Sequence, residues 1–218
     1  MPDNVRFYFD PRCPWCYQTS RWVRRLEELG ELTVTWAVFL LAIANQGDEG
    51  RAASTRDGAP ALRTAVALRD ALGNAAVGRF YAALGAAIHE RGESADDNAV
   101  IDAALVDAGA DSSLRERALN DLATWTEVQH EHDDVVRTHK AFGVPTIVLD
   151  SGRGPAIFGP VIIEVPGDDE AIELWRHVSW LVRNQNFAEL KRERSAMPDL
   201  ESIRRALRRK AEREARAA

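Results

Sequence analysis

The chain has 218 residues, 45% hydrophobic and 28% charged, with a net charge of −6. That length supports a sizeable core in one domain, or in one domain with an insertion, without disulfide staples. The acidic balance argues against nucleic acid as the main partner, although residues 191–218 reverse it with ten Lys/Arg against five Asp/Glu.

Residues 5–9 alternate Val, Arg, Phe, Tyr, Phe and predict a strand, which Asp10-Pro11 breaks. A helix is expected from about Pro14 to about Leu29. Trp15, Thr19, Trp22, Val23, Leu26 and Leu29 recur at helical spacing, and Gly30 follows as a stop. Residues 33–41 are β-branched and aromatic and predict a second strand. Residues 46 to about 60 are rich in Gly, Asp, Arg and Ala and are expected to form a loop. From about 60 to 141 the pattern is helical throughout. It suggests four or five helices, broken near 73–74, 92–93 and 109–112.

The strand signal returns at 146–149, straight after Gly143-Val144-Pro145. Ser151-Gly152-Arg153-Gly154 reads as a hairpin turn and 156–158 as the returning strand. Residues 168–183 form an amphipathic helix pattern through Ile172, Leu174, Trp175, Val178, Leu181 and Val182. A short helix is expected at 187–194. The basic tail from 198 to 218 also looks helical, with Leu200, Ile203 and Leu207 as its apolar stripe.

The order β-α-β, helical block, β-β-α predicts an α/β thioredoxin fold with an inserted all-helical domain. Residues 1–45 and 141–194 make the thioredoxin-like domain, 46–140 the insertion, and 195–218 a basic C-terminal helix or tail. No apolar run approaches the roughly 18 residues of a membrane span. The N-terminus lacks the features of a secretory signal. Cytoplasm, where thiols are kept reduced, is the expected compartment.

The chain holds two cysteines, Cys13 and Cys16, three apart. A bridge between them closes a very short loop and adds only about 2 kcal/mol, so chemistry explains the pair better than structure does. The strand-to-helix junction suits that chemistry. Unpaired N–H groups and the positive helix end stabilise a thiolate at the cap, and are expected to lower the Cys13 pKa. Pro14 suits the first helical position, and Arg12 adds positive field. Cys13 is the expected nucleophile and Cys16 the more buried resolving thiol. Trp15 shapes the rim between them. A zinc site would need two further ligands, and the five His residues lack the spacing to supply them.

Pro145 opens a strand although it cannot donate a ladder bond. Beside a CxxC pair, a cis-Pro at the active-site edge explains this, with the Val144 backbone left free to pair with substrate. Any one of His89, His132, His139 and His177 reads more readily as a helix-surface or lid residue than as a proton shuttle. Asp10 reads equally as a proton acceptor and as a turn cap.

The stretch Phe9-Asp10-Pro11-Arg12-Cys13-Pro14-Trp15-Cys16 resembles the DsbA-like thioredoxin-fold family. It is most similar to the actinobacterial branch of mycothiol-dependent nitroreductases. Thr19-Ser20-Arg21-Trp22, Leu41-Ala42-Ile43-Ala44-Asn45, Gly143-Val144-Pro145-Thr146-Ile147, Phe158-Gly159-Pro160-Val161 and Phe187-Ala188-Glu189-Leu190-Lys191-Arg192 extend the likeness. It runs from about residue 5 to 194 and is weakest in the helical block.

The resemblance implies a helical lid, mycothiol as thiol co-substrate, and small-molecule acceptors with nitro compounds among them. It carries over Cys13 as nucleophile, Cys16 as resolving thiol and Pro145 as the cis-Pro. It places Asn45 and His132 at cavity contacts and Phe158 along the groove. The aromatic Trp15 after Pro14 favours a reductase poise.

No nucleotide-binding glycine motif is present, so no tightly bound cofactor is expected and electrons should arrive through a thiol. Metal, membrane and nucleic acid are not expected; a homodimer stays open. A protein disulfide oxidoreductase or isomerase and a redox-sensing binding protein are the alternatives. An isomerase resembling a glutathione transferase would carry Ser where Cys13 stands.

Overall fold

The computed structural model describes residues 1–57 and 59–217. The chain opens with β1 (Asp3–Phe9), α1 (Pro14–Glu28) and β2 (Leu32–Val38). A helical block follows: α2 (Leu41–Gln46), α3 (Asp48–Asp57), α4 (Pro60–Leu72), α5 (Asn74–Gly85), α6 (Asn98–Asp107), α7 (Ser113–Asn120) and α8 (Leu122–His139). Helix α5 continues into a π-helical turn, Ala86–Glu90. Then come β3 (Thr146–Leu149), β4 (Ala156–Phe158), α9 (Asp168–Arg183) and α10 (Glu201–Ala217). The strands form one mixed sheet in the order β2-β1-β3-β4. Strand β1 runs parallel to β2 and antiparallel to β3, and β4 is antiparallel to β3. This is the expected α/β architecture.

Strand β1 is central, and both its faces are covered. Val5, Phe7 and Phe9 are fully buried, and Tyr8 on the other face is nearly so. Helix α1 starts where Pro14 fills the first position and buries Trp22, Val23 and Leu26 completely. Each such side chain contributes roughly 1.5–3 kcal/mol of transfer free energy. The Trp22 indole donates to the Ala171 carbonyl at 3.2 Å, and its ring lies 6.1 Å from that of Trp175. These contacts lock α9 against α1.

Strand β2 is a sheet edge, and its outward N–H groups need partners. Side chains supply them in alternation. The N–H groups of Val34, Trp36 and Val38 donate to Glu27, Asn74 and Glu131 at 2.9, 2.8 and 2.8 Å. Asn74 also returns a bond to the Trp36 carbonyl at 2.8 Å.

Four expectations need correction. The loop expected from 46 to about 60 is helical through α3, with Gly58 outside the described residues. Gly50 is a packing residue there: a Cβ on it would fall 2.0 Å from the Ala42 carbonyl oxygen, so only glycine lets α3 approach α2. The chain leaves β2 at Val38, and Leu41 already opens α2. The helix expected at 187–194 does not form. Leu190 is 79% exposed, so the segment has no packed apolar face to hold a short helix. A further break separates α7 from α8, where the Asp121 carboxylate caps α8 by accepting the Ala123 N–H at 2.9 Å.

The tail is helical as α10, but its apolar stripe docks only in part. Leu200 and Ile203 are buried against Tyr17, while Leu207 is exposed. No described helix is long and apolar enough to cross a membrane.

Candidate active site

Cys13 occupies the N-cap of α1, in extended backbone, and its sulfur accepts the Cys16 N–H at 3.4 Å. Its thiol in turn donates to the Val144 carbonyl at 3.7 Å. The Val144–Pro145 peptide is cis. Cys16 is fully buried and donates to the Tyr8 carbonyl at 3.7 Å, whereas Cys13 is 8% exposed. Both are free thiols. The pair and the Pro145 loop therefore meet across 131 residues of sequence.

The expected low thiol pKa of Cys13 is not what this closed arrangement gives. Burial is the largest influence and pushes Cys13 up to about 11. The Cys16 and Trp15 N–H groups and the Arg194 charge pull the other way, and the Asp10 carboxyl adds to the rise. The helix N-terminus acts as expected, but desolvation outweighs it. Burial likewise raises the Cys16 thiol.

Asp10 is the turn cap. Its carboxylate accepts the Arg12 N–H at 2.9 Å and the Leu41 N–H at 3.0 Å, tying the cysteine loop to the start of α2. Trp15 is partly exposed, and the Arg194 guanidinium sits 4.8 Å over its ring. Phe158 packs beside the Pro145 loop. A Cβ on Gly143 would come within 3.3 Å of the Phe158 ring, a tight contact that glycine avoids. The Phe142 ring meets Phe158 at 4.7 Å, tilted by 31°.

A cavity of about 470 Å³ opens beside the cysteine loop, lined by Asp10, Arg12, Leu41, Asn45, Ser54 and Ala95 among others. Arg12 pairs with Asp96 beside it. Asn45 thus lies where a cavity contact was expected. His132 does not. It is buried behind Leu40, accepts the Leu40 N–H at 3.3 Å through Nδ1 and meets the Phe39 ring at 4.5 Å.

His89, expected at a helix surface or in the lid, lies in the core instead, and two further features had little signal in the sequence. His89 is buried between the Pro11 carbonyl (2.8 Å) and the Ser202 hydroxyl (2.9 Å), and stacks on Tyr17 at 5.1 Å. It links the cysteine loop to α10. Arg194 reaches Trp15 from an irregular segment, with no periodicity to announce it. Gly159–Pro160 is a second cis peptide, beside the first: the Gly159 N–H donates to the Pro145 carbonyl at 2.8 Å, and Thr19 donates to the Pro160 carbonyl at 2.9 Å. Phe-Gly-Pro-Val is only a turn signal in sequence.

Burial pushes both His89 and His132 down to about 4 from the ordinary 6.5. Each stays neutral in the folded protein until about that pH but takes up a proton near 6.5 once unfolded. The unfolded chain therefore binds more protons across this window, and stability falls as pH drops through it. The urea midpoint should decrease between about pH 6.5 and pH 4, and His89→Gln and His132→Gln should each flatten that decrease. Asp10, raised by burial, acts in the opposite sense in every variant. An unchanged slope in both variants would sink this assignment.

A family model described as mycothiol-dependent nitroreductase Rv2466c, of the Rv2466c-like family, matches residues 12–192. The chain belongs to the Rv2466c-like family. A curated relative, the uncharacterized protein Rv2286c of Mycobacterium tuberculosis, is 34% identical over 215 residues, covering 94% of this chain and 88% of the relative.

Solved structures share the fold. The cytosolic disulfide reductase DsbM of Pseudomonas aeruginosa is 15% identical with a TM-score of 0.56, over 81% of this chain and 99% of that one. The reduced disulfide oxidoreductase DsbG of Mycobacterium tuberculosis is 20% identical with a TM-score of 0.50, over 78% and 83%. A 2-hydroxychromene-2-carboxylate isomerase is 19% identical with a TM-score of 0.59, over 84% and 97%. The α/β fold of this chain is therefore the DsbA-like thioredoxin fold, and membership of the Rv2466c-like family makes it a thiol-disulfide oxidoreductase.

Proposed function

We propose that this chain is a cytoplasmic reductase of small molecules, with nitro compounds among its acceptors, that works through the Cys13–Cys16 dithiol and is recharged by mycothiol. The observation that carries the reading is the meeting of Cys13, at a helix N-cap, with the carbonyl before cis-Pro145. That arrangement gives an attacking sulfur a donor N–H on one side and, on the other, a backbone carbonyl that accepts its thiol proton until the thiolate forms. The cavity beside it has the size of a small-ligand site, not of a protein groove.

Reduction of an acceptor by two electrons leaves the Cys13–Cys16 disulfide. A mycothiol thiolate then attacks Cys13 Sγ, forming a Cys13 mixed disulfide and releasing the Cys16 thiolate. A second mycothiol attacks the mycothiol sulfur of that adduct, releasing the symmetric disulfide and the Cys13 thiolate. Asn45 and Arg12 are the polar groups placed to orient the thiol, with Trp15, Val144 and Phe158 around the sulfur. His132, enclosed in the core, takes no part in binding.

The test offers mycothiol, glutathione and a dithiol in parallel to the oxidised protein, followed by tryptophan fluorescence and intact mass. Selective reduction by mycothiol with an adduct on Cys13 is the expected result. Reduction by the dithiol alone would overturn the mycothiol assignment.

A further inference from the structure

Tyr81 of α5 is fully buried. Its ring stacks on Phe9 at 4.1 Å and 17°, and Trp36 meets it edge-on at 5.9 Å. These contacts hold the ring in one orientation beside β1, where Cys16 donates to the carbonyl of neighbouring Tyr8, and the Tyr81 hydroxyl and Cys16 thiol influence each other's ionisation. Among the described residues that hydroxyl has no partner at hydrogen-bond geometry. Leaving a buried hydroxyl unpaired is costly.

Arg24 of α1 adds a second anomaly. Its guanidinium carbon lies 5.0 Å from the Tyr81 ring centre and 4.6 Å from that of Trp36. It donates to the Ser20 hydroxyl at 2.7 Å and to the Gly78 carbonyl at 3.4 Å. Its Nε is enclosed and unpaired, and among the described residues no carboxylate forms an ion pair with it. Gly78 makes the stack fit, because a Cβ there would fall 2.6 Å from the Trp36 indole nitrogen.

A half-buried cation without an ion-pair partner, its Nε enclosed, therefore lies over a tyrosine whose hydroxyl is unpaired, near a sulfur that becomes negative only during turnover. Donors fixed in advance around a site of transient charge are the usual form of electrostatic catalysis. We propose that Tyr81 donates a hydrogen bond to the Cys16 thiolate in the resolving step, and that Arg24 is the positioning residue that polarises it. This rests on the dithiol reading above.

In that step Cys16 gives its proton to water and attacks Cys13 Sγ of a mixed disulfide. The Cys13–Cys16 bond forms and the bond from Cys13 to the substrate sulfur breaks. The electron pair leaves on the substrate thiolate, which takes a proton from water. Tyr81 keeps its own proton throughout. The ionisable groups facing Cys16 are Cys13, Asp10, Tyr81 and Arg24, so the pH profile of the step reports on them.

The experiment mixes the reduced full-length protein with 5,5′-dithiobis(2-nitrobenzoate) and follows thionitrobenzoate release. Cys13 attack gives a first, reagent-dependent phase, and Cys16 resolution gives a second, reagent-independent one. Tyr81→Phe should leave the first phase unchanged, slow the second about tenfold, as loss of a hydrogen bond to a charged group does, and move its pH midpoint upward. Arg24→Gln should do the same to a smaller extent, and Arg24→Lys should recover part of the rate.

Tyr81→Phe removes an oxygen that bonds to nothing, so the fold should persist. If it does not, the second phase in Arg24→Gln decides. A second phase unaltered in rate and midpoint would overturn the role of Tyr81. A wild-type protein with no second phase would overturn the dithiol reading itself.

Discussion

Cys16→Ser mixed with mycothiol disulfide is expected to accumulate one mycothiol per chain, bound to Cys13 with release of one mycothiol thiolate, whereas Cys13→Ser accumulates none and loses thiol-dependent turnover by about a million-fold, as loss of a nucleophile does. The asymmetry follows from the positions of the two sulfurs. Cys13 keeps 8% exposure at the helix cap, faces the Val144 carbonyl and receives the Cys16 N–H. Cys16 is enclosed beneath it, with the Tyr8 carbonyl as its acceptor. An incoming disulfide can reach the first sulfur and not the second, and only the second can release what the first has captured. Peptide mass mapping of the trapped adduct checks the order. An adduct on the remaining cysteine of Cys13→Ser, with turnover retained, would reverse the roles.

Trp22→Ala should destabilise the fold by about 3–5 kcal/mol. Total stabilities of such domains are about 5–15 kcal/mol, so the variant should unfold at much lower urea and melt roughly 10 °C earlier. The large effect has two sources. A fully buried indole leaves a cavity between α1 and α9, and the Ala171 carbonyl loses its donor. Because α1 carries Cys16 and is capped by Cys13, the damage should also appear as faster proteolysis of α9 and weaker redox-linked fluorescence. A midpoint within 2 °C of wild type, checked by calorimetry, would show that the Trp22–Trp175 contact does not lock α9 against α1.

Local signals made the sheet, α1, α9 and the Cys13 and Pro145 loops legible in sequence. Each rests on neighbours within a few residues: alternation at Val5, Phe7 and Phe9, helical spacing through Trp22 and Leu26, and Pro14 at a first position. The errors arise where distant packing decides. Gly50 looks like a loop glycine until the Ala42 carbonyl is seen against it. Residues 187–194 carry a tolerable helix pattern, but nothing packs on Leu190.

The site divides in the same way. The position of Cys13 at a cap is a local property, and the sequence shows it. The height of its pKa depends on how much of the fold closes over it, so the positive field of the helix end was visible while the burial that outweighs it was not. His132 illustrates the same point: its place on a helix is evident, but the face turned to Leu40 is a tertiary fact. Arg194 over Trp15 joins residues too far apart for any pattern to connect.

The side-chain capping of β2 also bears on how molecules of this protein meet one another. A bare edge strand is a template on which a second chain can add its own strand, the usual route to polymers built by sheet extension. Glu27, Asn74 and Glu131 occupy the donors that such a neighbour would need. The opposite edge, β4, spans three residues, Ala156–Phe158. Strand-by-strand association is thus blocked at one end of the sheet and given little length at the other, a safeguard for a sheet whose central strands bury Val5, Phe7, Phe9, Ile147 and Val148 completely.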